Sequence, residues 1–355
     1  MLMFSGRPVR SVVVGSMRQR ALAILCLALT ATLGLAAFSA RIAAAWPRAS
    51  AREPTLVGHS SLQVRCGSAG TTLSTDWYFP DGAVGRPIGI VWLQHAFFQT
   101  KDNLVALAKS IAVNTGAIVV APTITSNPLA TGGCWINGAP MASAVADLFV
   151  AGRSALQMSA DAARGGPVWL PRPFVLSGNS AGGNLVTGAA GDTTLPGGDI
   201  VDLRGVVLYD AVDYGTSMQK ALAQLSGIDD RPVLQIASPP NPCNAFGSGT
   251  AALLSARPDQ FVGVELVNGT HLDAEGPNIG PLAEAVCGQR QTVNVEAVRV
   301  LAADWITNAL TGSSLGIVGG SPGEAISVGV ATAIVLPAGP PREPSTDGDA
   351  WLPLG

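Results

Sequence analysis

Charge is what this chain has least of. Of its 355 residues 13% are charged, about half the usual share. A formal net charge of −3, with no basic cluster, argues against a nucleic-acid partner. Histidine occurs three times, so chemistry near neutral pH has few bases to choose from. No Cys-x-x-Cys or Cys/His spacing marks a zinc site among the five cysteines, and no metal is expected. The 42 glycines and 25 prolines follow no fixed period, which excludes a collagen-like chain. Long apolar runs are lacking too, with one exception.

That exception is residues 21–40, twenty positions without a charge, preceded by Arg18 and Arg20 and followed by Arg41. It is long enough to span a bilayer, so membrane contact is expected only through residues 21–40. Basic residues, an apolar stretch and the small residues at 43–45 and 49–51 read as an export signal over 1–51, with a retained anchor as the alternative. This segment holds six arginines and no acid; without it the body has fifteen basic and twenty-four acidic residues, a formal −9. Four cysteines remain in the body, Cys66, Cys134, Cys243 and Cys287, an even number suited to an oxidising compartment. We take Cys66–Cys134 with Cys243–Cys287 as the working pairing. The sequence does not select it over the other two connectivities, and buried free thiols are the alternative.

From residue 55 onward, β-rich runs alternate with helical patterns. Strands are expected at 62–66, 72–79, 88–93, 117–121, 174–176, 206–209, 233–236 and 262–267. Helices are expected at 103–114, 141–163, 181–190 and 293–310. The uninterrupted apolar character of 88–93 and 117–121 suits strands covered on both faces, while the first two strands, with no helix between them, suit an antiparallel edge. The pattern predicts an α/β domain, a mostly parallel eight-stranded sheet with helices on both faces. It would occupy residues 52–311, between the leader (1–51) and a Gly/Pro-rich tail (312–355) in which 325–336 can add one late strand or strap.

The chemistry concentrates in Gly178-Asn179-Ser180-Ala181-Gly182-Gly183, a G-x-S-x-G pattern directly after an apolar strand and directly before a helical run. Such a turn strains the serine and presents its hydroxyl, making Ser180 the candidate nucleophile. A serine needs a base, and only His271 follows Ser180 in the chain, in the loop Asn268-Gly269-Thr270-His271 after an apolar run. A triad acid is expected after a strand between them. The stretch after 233–236 contains no carboxylate, whereas the stretch after 206–209 offers Asp210 and, in reserve, Asp213. Asp210 is the candidate acid; Asp273 is a remoter one, and a helix-capping role for Asp210 is the alternative.

Two oxyanion donors are expected: the N–H of Ala181, next to the nucleophile, and that of Phe97 in Gln94-His95-Ala96-Phe97-Phe98. His95 would shape that loop. Ala96 stands where a glycine would accept backbone angles that alanine resists. Phe98 and Trp135, with Phe97, are candidate pocket residues at the rim, with packing beneath loops as the alternative.

The strand–GNSAGG–helix, the QHAFF loop, the position of Asp210 and the NGTH loop together resemble the α/β-hydrolase superfamily over about residues 55–311. Within it the chain is similar to secreted actinobacterial-type serine esterases and lipases, cutinase- or chlorophyllase-like. The resemblance implies ester hydrolysis through an acyl-enzyme by a monomer, on a small-molecule or lipid ester, with no cofactor and no metal. No lid-like apolar insertion separates the strands, which points to short or medium acyl chains. An acyltransferase of the cell envelope, or a non-catalytic binding protein with a hydrolase shell, are the alternatives.

Overall fold

The computed structural model describes residues 55–80, 86–150, 152–194, 200–277, 279–313 and 319–337. The expected leader over 1–51 lies outside them. The centre of the molecule is six parallel strands: β3 (Ile90–Gln94), β4 (Ile118–Pro122), β5 (Phe174–Asn179), β6 (Leu203–Tyr209), β7 (Val233–Ala237) and β8 (Gly263–Leu266). They lie in the order β4-β3-β5-β6-β7-β8. The hairpin β1 (Leu56–Val64) and β2 (Thr71–Phe79) adds to one edge, with β2 antiparallel to β4. A second hairpin, β9 (Ala325–Val328) and β10 (Ala331–Val335), adds to the other edge, with β10 antiparallel to β8.

Among the described residues the sheet therefore has ten strands, two more than the eight expected. The run at 325–336 folds as two short strands because Gly329, at φ 61°, reverses the chain in its middle. Burial in β10 alternates along the strand, as on a sheet with one face on the core and one towards water.

The central strands read as continuous apolar runs because each face meets its own layer of helices. Along β3, Ile90 and Trp92 enter one core and Val91 and Leu93 the other, and all four are fully buried. The first core is completed by α2 (Ala139–Val150), α3 (Ser154–Arg164), α4 (Ala181–Asp192), α5 (Ser217–Gln224) and α6 (Ser248–Ala256). On the opposite face lie α1 (Val105–Thr115) and α8 (Thr292–Thr311), which contribute Leu107, Ile111, Leu301 and Trp305. Each fully buried Leu, Ile or Val contributes about 1.5–3 kcal/mol.

The single helix expected over 141–163 is two. The chain turns between α2 and α3 through Gly152 and Arg153, both left-handed at φ 64° and 58°. Arg153 donates from Nε to the Phe149 carbonyl, from Nη1 to that of Pro171 and from Nη2 to Asp202. Those bonds hold an arginine where its own backbone preference would not. Cys66–Cys134 and Cys243–Cys287 are disulfides. The first ties the β1–β2 turn to the loop following β4; the second ties the loop following β7 to α7 (Pro281–Cys287). Among the described residues no helix is long and apolar enough to cross a membrane.

Candidate active site

Ser180 stands alone between β5 and α4, at φ 54° and ψ −120°. A non-glycine residue there costs on the order of 1–3 kcal/mol and persists only where its surroundings enforce it. They do so through close backbone contact. A Cβ on Gly182 would collide with the carbonyl oxygens of Gln94 and His95, and one on Gly178 with the backbone of Gly182 and Gly183. The glycines thus let α4 begin against the end of β3. The Ser180 N–H donates to the Tyr209 carbonyl at 3.0 Å, and Asn179 Nδ2 donates to the same oxygen at 2.9 Å. The Ser180 side chain does not cap the helix it begins.

Because Tyr209 ends β6, these bonds lock the serine turn to the residue before Asp210. Asp210 is itself left-handed at φ 47° and buried. Its Oδ2 lies 2.7 Å from His271 Nδ1 and accepts from Ser238 Oγ at 2.7 Å. Its Oδ1 accepts from the Ser238 N–H at 3.0 Å and from Asn244 Nδ2 at 3.3 Å. The stretch after β7, which lacks a carboxylate, thus supplies donors to the carboxylate at the end of β6. Asp213 is engaged elsewhere: its Oδ1 accepts from the Met218 N–H at 2.9 Å in the first turn of α5, and burial raises its pKa.

His271 follows β8 on a loop that Asp273 closes. Asp273 accepts from the Thr270 N–H at 2.7 Å and from the Thr270 hydroxyl at 3.0 Å. Burial raises the pKa of Asp273, and the carboxylate turns towards Thr270. With Nδ1 on Asp210, the imidazole presents Nε2 for proton transfer.

The loop after β3 is shaped by His95. Its Nδ1 donates to the Ala96 carbonyl at 2.7 Å and its Nε2 accepts from the Ile124 N–H at 3.0 Å, so both nitrogens are committed. Burial pushes its pKa down to about 4. The angle expected to trouble Ala96 falls instead on Phe98, at φ 58°, whose N–H donates to Ser126 Oγ at 2.8 Å.

Phe97 and Phe98 touch with rings tilted by 52° and centroids 4.2 Å apart, Phe97 meets Trp135 edge-on at 6.3 Å, and Trp135 meets Tyr214 edge-on at 5.6 Å. Phe98 is 85% exposed and Tyr214 52%. Asn184, in the first turn of α4, anchors this row. Its Nδ2 donates to Asn137 Oδ1, and its Oδ1 accepts from the Tyr214 N–H and the Ser217 hydroxyl. The aromatic row is thereby fixed to the helix that Ser180 begins.

Sequence reasoning missed Tyr214, Ser238 and Asn244, and two further residues, Gln99 and Glu275. A signal existed for Tyr214, one of only three tyrosines, four positions after Asp210. Glu275 is buried four residues after His271, and its Oε2 accepts from Gln99 Nε2 at 2.6 Å. Burial pushes its pKa up to about 7. Among the described residues no group of three His, Cys, Asp or Glu is placed to hold a metal. A large cavity, about 650 Å³, opens at the amino ends of β6 and β7 beside Arg231 and Trp305, away from Asp210 and His271.

No protein-family model matches the sequence, and no curated protein matches it. Solved structures do. A mutant form of the esterase rPPE shares 18% identity, with 78% of this chain and 88% of that chain covered, at a TM-score of 0.50. A thermostable esterase from Pseudomonas putida shares 17% over 78% and 88% at a TM-score of 0.48. An esterase of Pyrobaculum calidifontis shares 15% over 74% and 87% at 0.47. At these identities the likeness is one of fold. Six parallel strands covered on both faces, the strained Ser180 turn and the similarity to the first of these structures give this chain the α/β-hydrolase fold.

Proposed function

We propose that the protein is a serine hydrolase that cleaves carboxylic esters through an acyl-enzyme. The observation that carries this reading is the pair Asp210–His271 at 2.7 Å, on the sheet end where the strained Ser180 begins α4. The Ser180 hydroxyl attacks the ester carbonyl as His271 Nε2 accepts its proton; Asp210 holds the ring and stabilises the imidazolium that forms. The N–H groups of Ala181 and Phe97 receive the oxyanion, each donor contributing about 3 kcal/mol to the barrier reduction. Collapse breaks the ester C–O bond, and His271 returns the proton to the departing alcohol. Water, deprotonated by His271, then attacks the acyl-enzyme, and Ser180 recovers its proton.

Phe97, Phe98, Trp135 and Tyr214 form the apolar rim for the substrate, and the absence of a lid-like insertion in the sequence favours short or medium acyl chains. Two disulfides and the apolar run at 21–40 support an exported protein; the cutinase- or chlorophyllase-like kind rests on the resemblance of the sequence motifs alone. Purified protein is expected to release p-nitrophenol from p-nitrophenyl butyrate and to be labelled at Ser180 by a fluorophosphonate. Ser180→Ala should abolish both. Undiminished hydrolysis by Ser180→Ala would reject the reading.

Two features favour a non-catalytic shell, the stretch after β7 without a carboxylate and the alanine at position 96, and neither removes the site. An acid stands at Asp210 in contact with His271, and Ala96 is not in the left-handed region.

A further inference from the structure

Glu275 and Gln99 are 176 residues apart in sequence and meet in the interior, one on the loop that carries His271, the other on the loop that carries Phe97. A single hydrogen bond joins them, from Gln99 Nε2 to Glu275 Oε2. That bond leaves two oxygens over, the other carboxyl oxygen Glu275 Oε1 and the amide oxygen Gln99 Oε1. Both are buried, and neither meets a donor among the described residues. Two buried acceptors without a donor are costly, at about 1–3 kcal/mol each. One proton on the Glu275 carboxyl supplies the missing donor. A carboxylic acid facing a carboxamide can then form two bonds, N–H to one carboxyl oxygen and O–H to the amide oxygen, which satisfies all four groups.

The surroundings favour that proton. Burial does so, since Glu275 is 2% exposed; the charges of His271 and Arg290 pull the other way and are outweighed, each being bonded elsewhere. Arg290 donates to the backbone carbonyls of Glu275 and Gly276 and pairs with Glu284 at 3.1 Å. Lys101, beyond Gln99, pairs with Asp76 and Asp102. Asp273 is committed to Thr270, and His271 to Asp210. On the other loop, the Gln99 N–H closes a turn onto the Ala96 carbonyl at 3.3 Å, so displacing Gln99 displaces Phe97 within that turn.

We propose that Glu275 is a positioning residue, held as the neutral acid, that clamps the Phe97 loop to the His271 loop through a two-bond pairing with Gln99. The proposal rests on the roles given above to Ser180, His271 and Phe97. Its effect is on geometry: a displacement of about 1 Å of an oxyanion donor costs up to about 10²-fold in rate.

The test is kcat and KM for a short-chain ester from pH 5 to 9, in wild type, Glu275→Gln, Glu275→Leu and Gln99→Leu. Fluorophosphonate labelling serves as the control. In wild type, kcat should fall about 10-fold as the acid ionises above neutral pH. Glu275→Gln, whose amide offers a permanent donor, should lack that descending limb. Both leucine variants should lower kcat by a similar factor at every pH while KM changes less than about twofold. Superimposable profiles for wild type and Glu275→Gln, or wild-type kcat in both leucine variants, would overturn the clamp and leave Glu275 a packing residue. A wild-type protein that neither labels nor hydrolyses any ester would instead overturn the reading of the site, and the clamp with it.

Discussion

Ser238 donates twice to Asp210, from its backbone N–H to Oδ1 and from its hydroxyl to Oδ2. Oδ2 therefore serves both Ser238 and His271, and the serine fixes the direction from which the carboxylate reaches the ring. A hydrogen bond to a charged group contributes about 1.5–3 kcal/mol. Ser238→Ala keeps the backbone bond and removes the hydroxyl, so kcat is expected to fall about 10-fold with KM little changed. Steady-state kinetics on a short-chain ester decide it. A KM effect with unchanged kcat would assign Ser238 to substrate binding.

The two carboxylates after β6 separate cleanly in their partners, and so should their variants. Asp210→Asn leaves the shape intact but favours the wrong imidazole tautomer, and is expected to lower kcat by about 10⁴-fold. Asp213→Ala removes a bond to the Met218 N–H and should cost about 1 kcal/mol of stability, with turnover close to wild type. Thermal melting and ester kinetics on the pair of variants test both statements. A collapse of turnover in Asp213→Ala would move the acid assignment.

What could be read in advance was what is local. The Ser180 turn lies within six residues, with glycines where the backbone must approach closely, so strand, turn and helix were legible from the sequence. Chain order singled out His271 and the end of an apolar run singled out Asp210, and the structure sets the two side chains 2.7 Å apart. The donors on Asp210 were not legible, because Ser238 and Asn244 are ordinary polar residues until β7 is set beside β6. Gln99–Glu275 is a contact between distant segments and has no sequence signature. The break between α2 and α3 was only half visible: Gly152 is an ordinary breaker, but the second left-handed position is an arginine, stabilised by bonds to Pro171 and Asp202 that only the tertiary structure supplies. The β9–β10 hairpin was underread because its strands are short and half exposed, which weakens the periodic signal.

The aromatic row predicts where specificity resides. Tyr214 packs edge-on against Trp135 and is half exposed, so it can contact a substrate without being needed for the core. An aromatic contact contributes about 0.5–1.5 kcal/mol beyond its area. Tyr214→Ala should therefore lower kcat/KM for butyrate and longer esters about 2- to 10-fold, mainly through KM, and leave acetate esters nearly unaffected. Equal losses on acetate and butyrate would place Tyr214 away from the acyl chain.

His95 sets a pH limit on the fold. Its pKa is pushed down to about 4 by burial, against about 6.5 in an unfolded chain. Between those values the unfolded state binds more protons than the native one, so stability rises with pH across the window and is lost on acidification from about 6.5 towards 4. The difference amounts to about 3 kcal/mol at the acid end. Raised carboxyls such as Glu275 act in the opposite sense, their native state binding the extra proton, and they cancel when two variants sharing them are compared. Urea unfolding of wild type and His95→Gln at pH 7 and pH 4.5 isolates the His95 contribution. The variant is expected to be less stable at pH 7, where it loses the paired ring, and the gap should narrow at pH 4.5. A gap that stays constant with pH would mean that folding does not depress the His95 pKa.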